Sequence, residues 1–281
     1  MPDARKTLGE LRAEWEDCTR CQLGVHRQNN GGSFVFGEGA KRGIMFIGEG
    51  PGVTEEEQGV PFVGDSGKLL RSILKKMSVT ESYITNIVAC RSCEPVLDEN
   101  GLPRLRKRKY GPSLPMFRDT PPTPPQCTAC QPRLQEEIYL VDPIVIVSLG
   151  GTAAESLIGR SLTITRDRGK EHTIEIPGAG FRASLTEKKQ QWMRKVHGEV
   201  VTPVIPSTVR YLLIPTLHPA YVLRKIADMG HNSPFQQLVD DIRKAVKIYE
   251  MYMQEVHQQM PTGGSSVSYE SVSDAFLEED K

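Results

Sequence analysis

Gly43–Gly52 reads GIMFIGEGPG, a short apolar run closed at once by a glycine-rich turn that carries one acid and one proline. An uninterrupted apolar run of this length, bounded by a turn signal, reads as a strand buried on both faces, and that burial belongs to parallel sheets covered by helices. Three further runs have the same form: Tyr83–Val88, Ile144–Leu149 and Tyr211–Ile214. The stretches between them are long enough for helices. Lys68–Met77 (KLLRSILKKM) carries leucine and isoleucine at helical spacing, and Thr152–Leu157 opens another helix after Gly150 and Gly151. Leu8, Leu11 and Trp15 mark a short amphipathic helix leading into Cys18. Strands alternating with helices predict an α/β fold, a three-layer αβα arrangement with a central, mostly parallel four-stranded sheet. Sheets of this kind bind ligands beyond the carboxyl ends of their strands. There the polar and glycine-rich segments collect: GEGPG after the first run, Asn86 near the end of the second, LGGTA at the third and TLHPAY after the fourth.

The 281 residues, 38% hydrophobic and 25% charged, suit a globular protein with one large core. No run of eighteen apolar residues exists, so no membrane span is expected. The first residues carry charges throughout and have no apolar stretch of the secretory kind, so an intracellular protein is expected. Residues 1–254 read as one domain with two interruptions. About 94–122 is rich in proline, glycine and arginine and reads as a long loop. About 169–209 combines a hairpin-like pattern with a charged stretch at Glu187–Lys195. Residues 255–281 form an acidic tail, expected to be disordered and a candidate site for a protein partner. The zero net charge conceals this tail: without it, 34 bases stand against 29 acids. Arg104, Arg106, Lys107, Arg108 and Lys109 crowd one short segment, which suits a polyanion, although a solvated charged loop reads equally well taken alone.

Six cysteines form three pairs of identical spacing: Cys18 and Cys21, Cys90 and Cys93, Cys127 and Cys130. CxxC sets two thiolates on one turn, within reach of one metal. With no export signal, a zinc site or an iron–sulfur cluster is the stronger reading than disulfides. Spacing alone does not choose the metal or the four ligands.

GEGPG lacks the GxGxxG spacing of a dinucleotide-binding turn, and Pro51 removes an amide donor from it. Extended to Leu70, the stretch GEGPGVTEEEQGVPFVGDSGKLL (Gly48–Leu70) closely resembles the family 4 uracil-DNA glycosylases, whose motif is GE(A/G)PG, six residues, then GxPFVGxxGxLL. The resemblance continues through YITNIVACR (Tyr83–Arg91), TPPQCTAC (Thr123–Cys130), VSLGGTA (Val147–Ala153) and PTLHPAY (Pro215–Tyr221). It implies a monofunctional glycosylase that hydrolyses the N-glycosidic bond of deoxyuridine in DNA and leaves an abasic site. Such an enzyme flips its base into a pocket. Phe62 would stack on the base, and Glu49 and Gly50 would line the pocket. Asn86, able to donate and accept at once, matches uracil O4 and N3–H and opposes the inverted pattern of cytosine. His218 would contact O2 and stabilise the departing uracil anion. Glu49 or Glu55 would stabilise the sugar cation or orient water.

The resemblance also implies a 4Fe–4S cluster on Cys18, Cys21, Cys90 and Cys130, with Cys93 and Cys127 left over; zinc is the alternative. DNA contacts are expected from the Gly150–Gly151 amides at a helix start and from Tyr221, Arg224 and Lys225 after His218. The basic Arg104–Lys109 segment would add phosphate affinity. No lysine stands at a matched pocket position, so lyase chemistry is not expected. A monomer is expected. Two rival readings are a glycosylase of the same fold for another or modified pyrimidine, and a non-catalytic nucleic-acid-binding accessory protein. A zinc-ribbon-like binding protein is a third.

Overall fold

The computed structural model describes residues 6–106, 114–177, 208–225 and 232–259, with Arg106, Leu114 and the last five as backbone only. Lys107, Arg108 and Lys109, the charged stretch 187–195 and the tail beyond Gln259 lie outside the described residues. In chain order the first elements are α1 (Leu8–Trp15), α2 (Gln22–Asn29), β1 (Glu38–Gly39), β2 (Ile44–Gly48), α3 (Val53–Gln58), α4 (Asp65–Lys76) and β3 (Ser82–Asn86). Next come four short strands, β4 (Cys93–Pro95), β5 (Leu105–Arg106), β6 (Leu114–Pro115) and β7 (Phe117–Asp119). The remainder is α5 (Pro124–Val141), β8 (Val145–Leu149), α6 (Gly151–Ile158), α7 (Ile164–Asp167), β9 (His172–Pro177), β10 (Thr208–Thr216), α8 (Pro219–Arg224) and α9 (Pro234–Gln259). No helix among the described residues is long and apolar enough to cross a membrane.

The main sheet runs β1-β3-β2-β8-β10-β9. The four apolar runs form its parallel centre, and β1 and β9 flank it as antiparallel edges. The sheet therefore has six strands rather than four. β9 is the strand that buried-run reasoning passes over, because HTIEIP alternates and buries only Ile174 and Ile176. Alternation of that kind belongs to an edge strand with one solvated face. Along β2 the side chains divide by period two. Met45 and Ile47 join Leu11, Trp15, Leu134 and Ile138 on one face, whereas Ile44 and Phe46 join Leu70, Ile73, Leu238 and Ile242 on the other. Helices α1 and α5 thus cover one face and α4 and α9 the other, which gives the three expected layers.

The described residues of the segment 94–122 do not form an irregular loop. β4 pairs with β7, Pro95 facing Phe117 and Cys93 facing Asp119, and β5 pairs with β6. Beyond Pro95 the ribbon forks. Leu97 bridges Pro103 around a turn in which the Asp98 carboxylate accepts from the amides of Asn100 and Leu102, both at 2.9 Å. The strands span two or three residues and are bounded by prolines, too short for alternation to register.

Helix α5 is held to β3 by a buried polar knot. Arg133 and Glu137, one helical turn apart and both fully buried, form an ion pair. Glu137 also accepts from the Tyr83 hydroxyl at 2.9 Å, the Thr85 hydroxyl at 3.3 Å and the Gly37 amide at 3.1 Å. Arg133 Nη2 donates to the carbonyls of Asn86 (2.7 Å) and Ile87 (3.0 Å) and lies 3.6 Å from Cys130 Sγ. Removing one member strands the other charge in the core. Glu137→Ala is therefore expected to lower the unfolding free energy by about 3–5 kcal/mol in urea titrations, and Arg133→Met/Glu137→Leu to recover part of that loss. A change below about 1 kcal/mol in the single variant would show that water reaches the stranded guanidinium.

Candidate active site

Because β2, β3, β8 and β10 are parallel and in register, their last residues share one edge of the sheet. Gly48 stands opposite Asn86, and Leu149 opposite Thr216. The segments that leave this edge carry Glu49, Asn86, Gly150 and His218, so the residues singled out in sequence meet at one place.

Phe62 is carried to this edge by the turn before α4. It is buried and adopts φ +54°, a conformation a bulky residue rarely takes. Its neighbours impose it. Arg71 donates through Nε to the Phe62 carbonyl at 3.0 Å and through Nη2 to the Pro61 carbonyl at 2.9 Å. On the other side Glu55 Oε1 accepts from the amides of Val63 (3.0 Å) and Gly64 (2.8 Å). Strain held by such over-determination is a mark of functional turns, at about 1–3 kcal/mol per residue. Gly48 makes the placement sterically feasible: a Cβ there would lie 2.4 Å from Phe62 Cζ and 2.5 Å from Asn86 Oδ1. Phe62 and Asn86 therefore converge over a bare backbone. Asn86 is itself buried, and its side-chain oxygen has no hydrogen-bond partner among the described residues. An orphaned buried acceptor costs about 1–3 kcal/mol unless a ligand satisfies it.

His218 caps α8. Its backbone is extended, as the following Pro219 demands, and its Nδ1 accepts from the Ala220 amide at 3.1 Å. An amide only donates, so Nδ1 carries no hydrogen and the neutral ring bears its proton on Nε2. Burial, then the Arg224 charge, pull the imidazole down from 6.5 to about 4, against Glu55, which raises it. The ring is thus a neutral donor at physiological pH. It lies 6.2 Å from the Phe62 ring, centroid to centroid, and beside Gly150, where a Cβ would come within 3.2 Å of the His218 Cβ.

The two candidate carboxylates differ. Glu55 is buried, and besides Val63 and Gly64 it accepts from the Gly52 amide at 3.2 Å. It therefore ties the GEGPG turn to the Phe62 turn. Glu49 is half-buried and close enough to Cys127 for its charge to raise that thiol. Gly50, also half-buried, packs near Val88, with room for a Cβ only at 3.0 Å from the Val88 methyl. Among the expected DNA contacts, Gly150 (φ +94°) and Gly151 open α6 at the same sheet edge. Arg224 and Lys225 are exposed at the end of α8, whereas Tyr221 is half-buried and packs against the core cluster that contains Phe62. Arg71 and Arg133 are not singled out by any sequence motif. The spacing of Arg133 and Glu137 on the otherwise apolar face of Leu134, Ile138 and Val141 is the signal that could have found the second.

On the other side of β3, Cys18, Cys21, Cys90 and Cys130 wall one cavity of about 20 Å³. Cys93 and Cys127 are not among its lining residues. Close approach at Gly24, where a Cβ would meet the Cys18 carbonyl at 2.2 Å, lets α2 fold against the Cys18–Cys21 turn. Burial pushes the Cys90 thiol up to about 12, against the Arg27 charge, with Cys130 and Cys21 raising it further. Arg27 lies close enough to the Cys90 thiol to favour its charged form, and Arg133 Nη2 lies 3.6 Å from Cys130 Sγ. Among the described residues no group of three His, Cys, Asp or Glu side chains is drawn in as the ligands of a single ion would be. Cys93 lies apart, with Sγ 3.4 Å from His26 Nε2.

Residues 35–243 match the sequence model of the uracil DNA glycosylase superfamily. The chain is 31% identical over 246 residues to the type-4 uracil-DNA glycosylase of Thermotoga maritima, covering 86% of this chain and 94% of that protein. It is 34% identical over 218 residues to the type-4 uracil-DNA glycosylase of Sulfurisphaera tokodaii, covering 70% and 86%. It is 30% identical over 227 residues to that of Archaeoglobus fulgidus, covering 74% of this chain and all of the other.

The depressed pKa of His218 has a consequence for stability. Between about 6.5 and about 4 the unfolded chain binds a proton that the folded protein refuses, so stability falls as pH drops through that window. His218→Gln, which keeps an acceptor for the Ala220 amide, is expected to flatten the acid side of the urea-midpoint profile relative to the parent. Parallel profiles for the two proteins would mean that His218 protonates freely in the fold.

Proposed function

This chain belongs to the uracil-DNA glycosylase superfamily, and on that footing we propose that it excises uracil from DNA by hydrolysing the N-glycosidic bond, leaving an abasic site for base excision repair. The observation that carries the proposal is the buried Asn86 oxygen, without a hydrogen-bond partner among the described residues, set against Phe62 and His218 at one sheet edge. A flipped uracil would stack on Phe62, with Asn86 accepting from N3–H and donating to O4. Cytosine presents a donor and an acceptor in the opposite order, so it would leave Asn86 facing like groups. The Nε2–H of neutral His218 would donate to O2.

Chemistry then proceeds from charge separation. As water bonds to C1′, the C1′–N1 pair leaves with uracil as an anion, and the attacking water gives up a proton to solvent. His218 stabilises the anion through a hydrogen bond rather than by protonating it, since its proton is held as that of a neutral imidazole. With Glu55 committed to three amides, Glu49 is the carboxylate assigned to the oxocarbenium-like sugar or its water, and Glu55 positions the pocket walls.

Cys18, Cys21, Cys90 and Cys130 would hold the 4Fe–4S cluster implied by the family resemblance; when bound, it would cross-link the N-terminal turn, the end of β3 and the start of α5. What supports the reading is that the four cysteines line one cavity; zinc on the same four thiolates is the alternative.

Purified protein incubated with uracil-, thymine- and modified-base oligonucleotides, then treated with alkali, tests the proposal. Strand breaks at uracil are expected. Asn86→Ala and His218→Ala are each expected to lower excision more than about tenfold, the scale of one lost transition-state hydrogen bond, while DNA binding is largely retained. Absence of cleavage at uracil at any protein concentration would overturn the assignment, and cleavage at another pyrimidine alone would redirect it. Cys90→Ser is expected to lose iron and visible absorbance; retention of stoichiometric zinc in the parent protein would replace the cluster by the zinc alternative.

A further inference from the structure

Arg71 contributes no group to the base pocket, yet it reaches the backbone that carries the stacking ring. It lies on α4, one helical turn beyond Gly67 and on the same face of the helix. Gly67 lets that face press against the Phe62 turn: a Cβ there would lie 2.0 Å from both the carbonyl carbon and the carbonyl oxygen of Phe62. From this position the guanidinium donates through Nε to the Phe62 carbonyl at 3.0 Å and through Nη2 to the Pro61 carbonyl at 2.9 Å. Nη2 also pairs with Glu38 on the edge strand β1, so the guanidinium is itself oriented.

The two carbonyls belong to the peptide units on either side of the Phe62 Cα. Each peptide is rigid, and φ and ψ of Phe62 are the rotations of these two planes about that one atom, so holding both planes fixes both angles. The second plane is held from its other end as well, where its amide, that of Val63, donates to Glu55 Oε1 at 3.0 Å. One peptide thus lies between a cation at its carbonyl and an anion at its amide, in line with its own dipole. The conformation held in this way is the strained one, φ +54°, which an aromatic residue leaves once its restraints are removed.

We propose that Arg71 is a positioning residue for base stacking: by clamping both peptide planes around Phe62 it keeps the ring seated against Gly48 and beside Asn86. This deepens the glycosylase reading and rests on it. Without Arg71 the Phe62 turn relaxes, only a fraction of molecules presents a competent pocket, and affinity for the base falls by that fraction. Stacking serves bound substrate and transition state alike, so the loss appears in binding rather than in the turnover of bound substrate.

The test measures two constants, the inhibition constant of free uracil and KM on a uracil-containing trinucleotide, together with kcat. Free uracil enters the pocket without DNA contacts or base flipping. Arg71→Met is expected to raise both constants about tenfold, as when one tenth of the molecules remain competent, with kcat changed less than about twofold. Arg71→Lys, whose ammonium has no fork to span two carbonyls, is expected to lie between Arg71→Met and the parent. In a Phe62→Ala background, Arg71→Met is expected to have no further effect, because the ring through which it acts is gone. A merely destabilising change would carry over into that background, so the double variant separates the two roles. Unchanged constants in both Arg71 variants, or an Arg71→Met effect of equal size with and without the Phe62 ring, would overturn the proposal. So would an intact uracil constant with a salt slope of duplex binding lower by about one, the signature of an arginine on a DNA phosphate. Absence of excision by the parent would overturn the glycosylase reading and this inference with it, whereas excision by the parent with unchanged constants in the variants overturns this inference alone.

Discussion

A single buried guanidinium joins the parts of this protein that chemistry would use. Arg133 is fully excluded from solvent, and its two terminal nitrogens find partners within the fold, while its Nε has none among the described residues. Its partners are Glu137 on its own helix, the carbonyls of Asn86 and Ile87 at the end of β3, and the sulfur of Cys130. Asn86 carries the side chain that would read the base, and Cys130 walls the cysteine cavity. The same group therefore fixes the backbone beneath the candidate base reader and abuts a candidate cluster ligand. One nitrogen of this guanidinium, Nη2, touches both candidate sites.

The pocket is organised in the same way. A strained Phe62 is tolerated because Arg71 holds its carbonyl side and Glu55 its amide side. His218 is kept neutral by burial and the Arg224 charge, and committing its Nδ1 to a helix cap leaves one defined donor rather than a proton whose position varies. Both devices fix directionality before substrate arrives, so little reorganisation is left for the reaction itself.

How much of this is legible in the sequence depends on the length scale of each signal. The four central strands are readable because burial on both faces turns them into uninterrupted apolar runs, and α4 because its leucines and isoleucine repeat at the helical period. The site residues are readable because they sit in a motif of fixed spacing on the strand ends. β9 is not recognisable as part of the sheet, because a half-solvated edge strand looks like any alternating hairpin. The ribbon strands escape notice because two-residue pairings leave no periodicity. The role of Glu55 is invisible for another reason: an acid in a run of three looks solvated until the turns it ties together are folded around it. Arg133 is hidden because a buried charge is recognised by its partners, and those on β3 and just beyond it lie 46 to 48 residues away in sequence.

The β4–β7 ladder returns the chain to the body within a few residues of where it left, Cys93 facing Asp119. Everything beyond that ladder is a loop whose ends are already closed. Lengthening such a loop costs only about 0.6 kcal/mol for each doubling, so this point of the fold can accept additional chain without disturbing the sheet. Relatives sharing the same core would be free to differ here in length and chemistry.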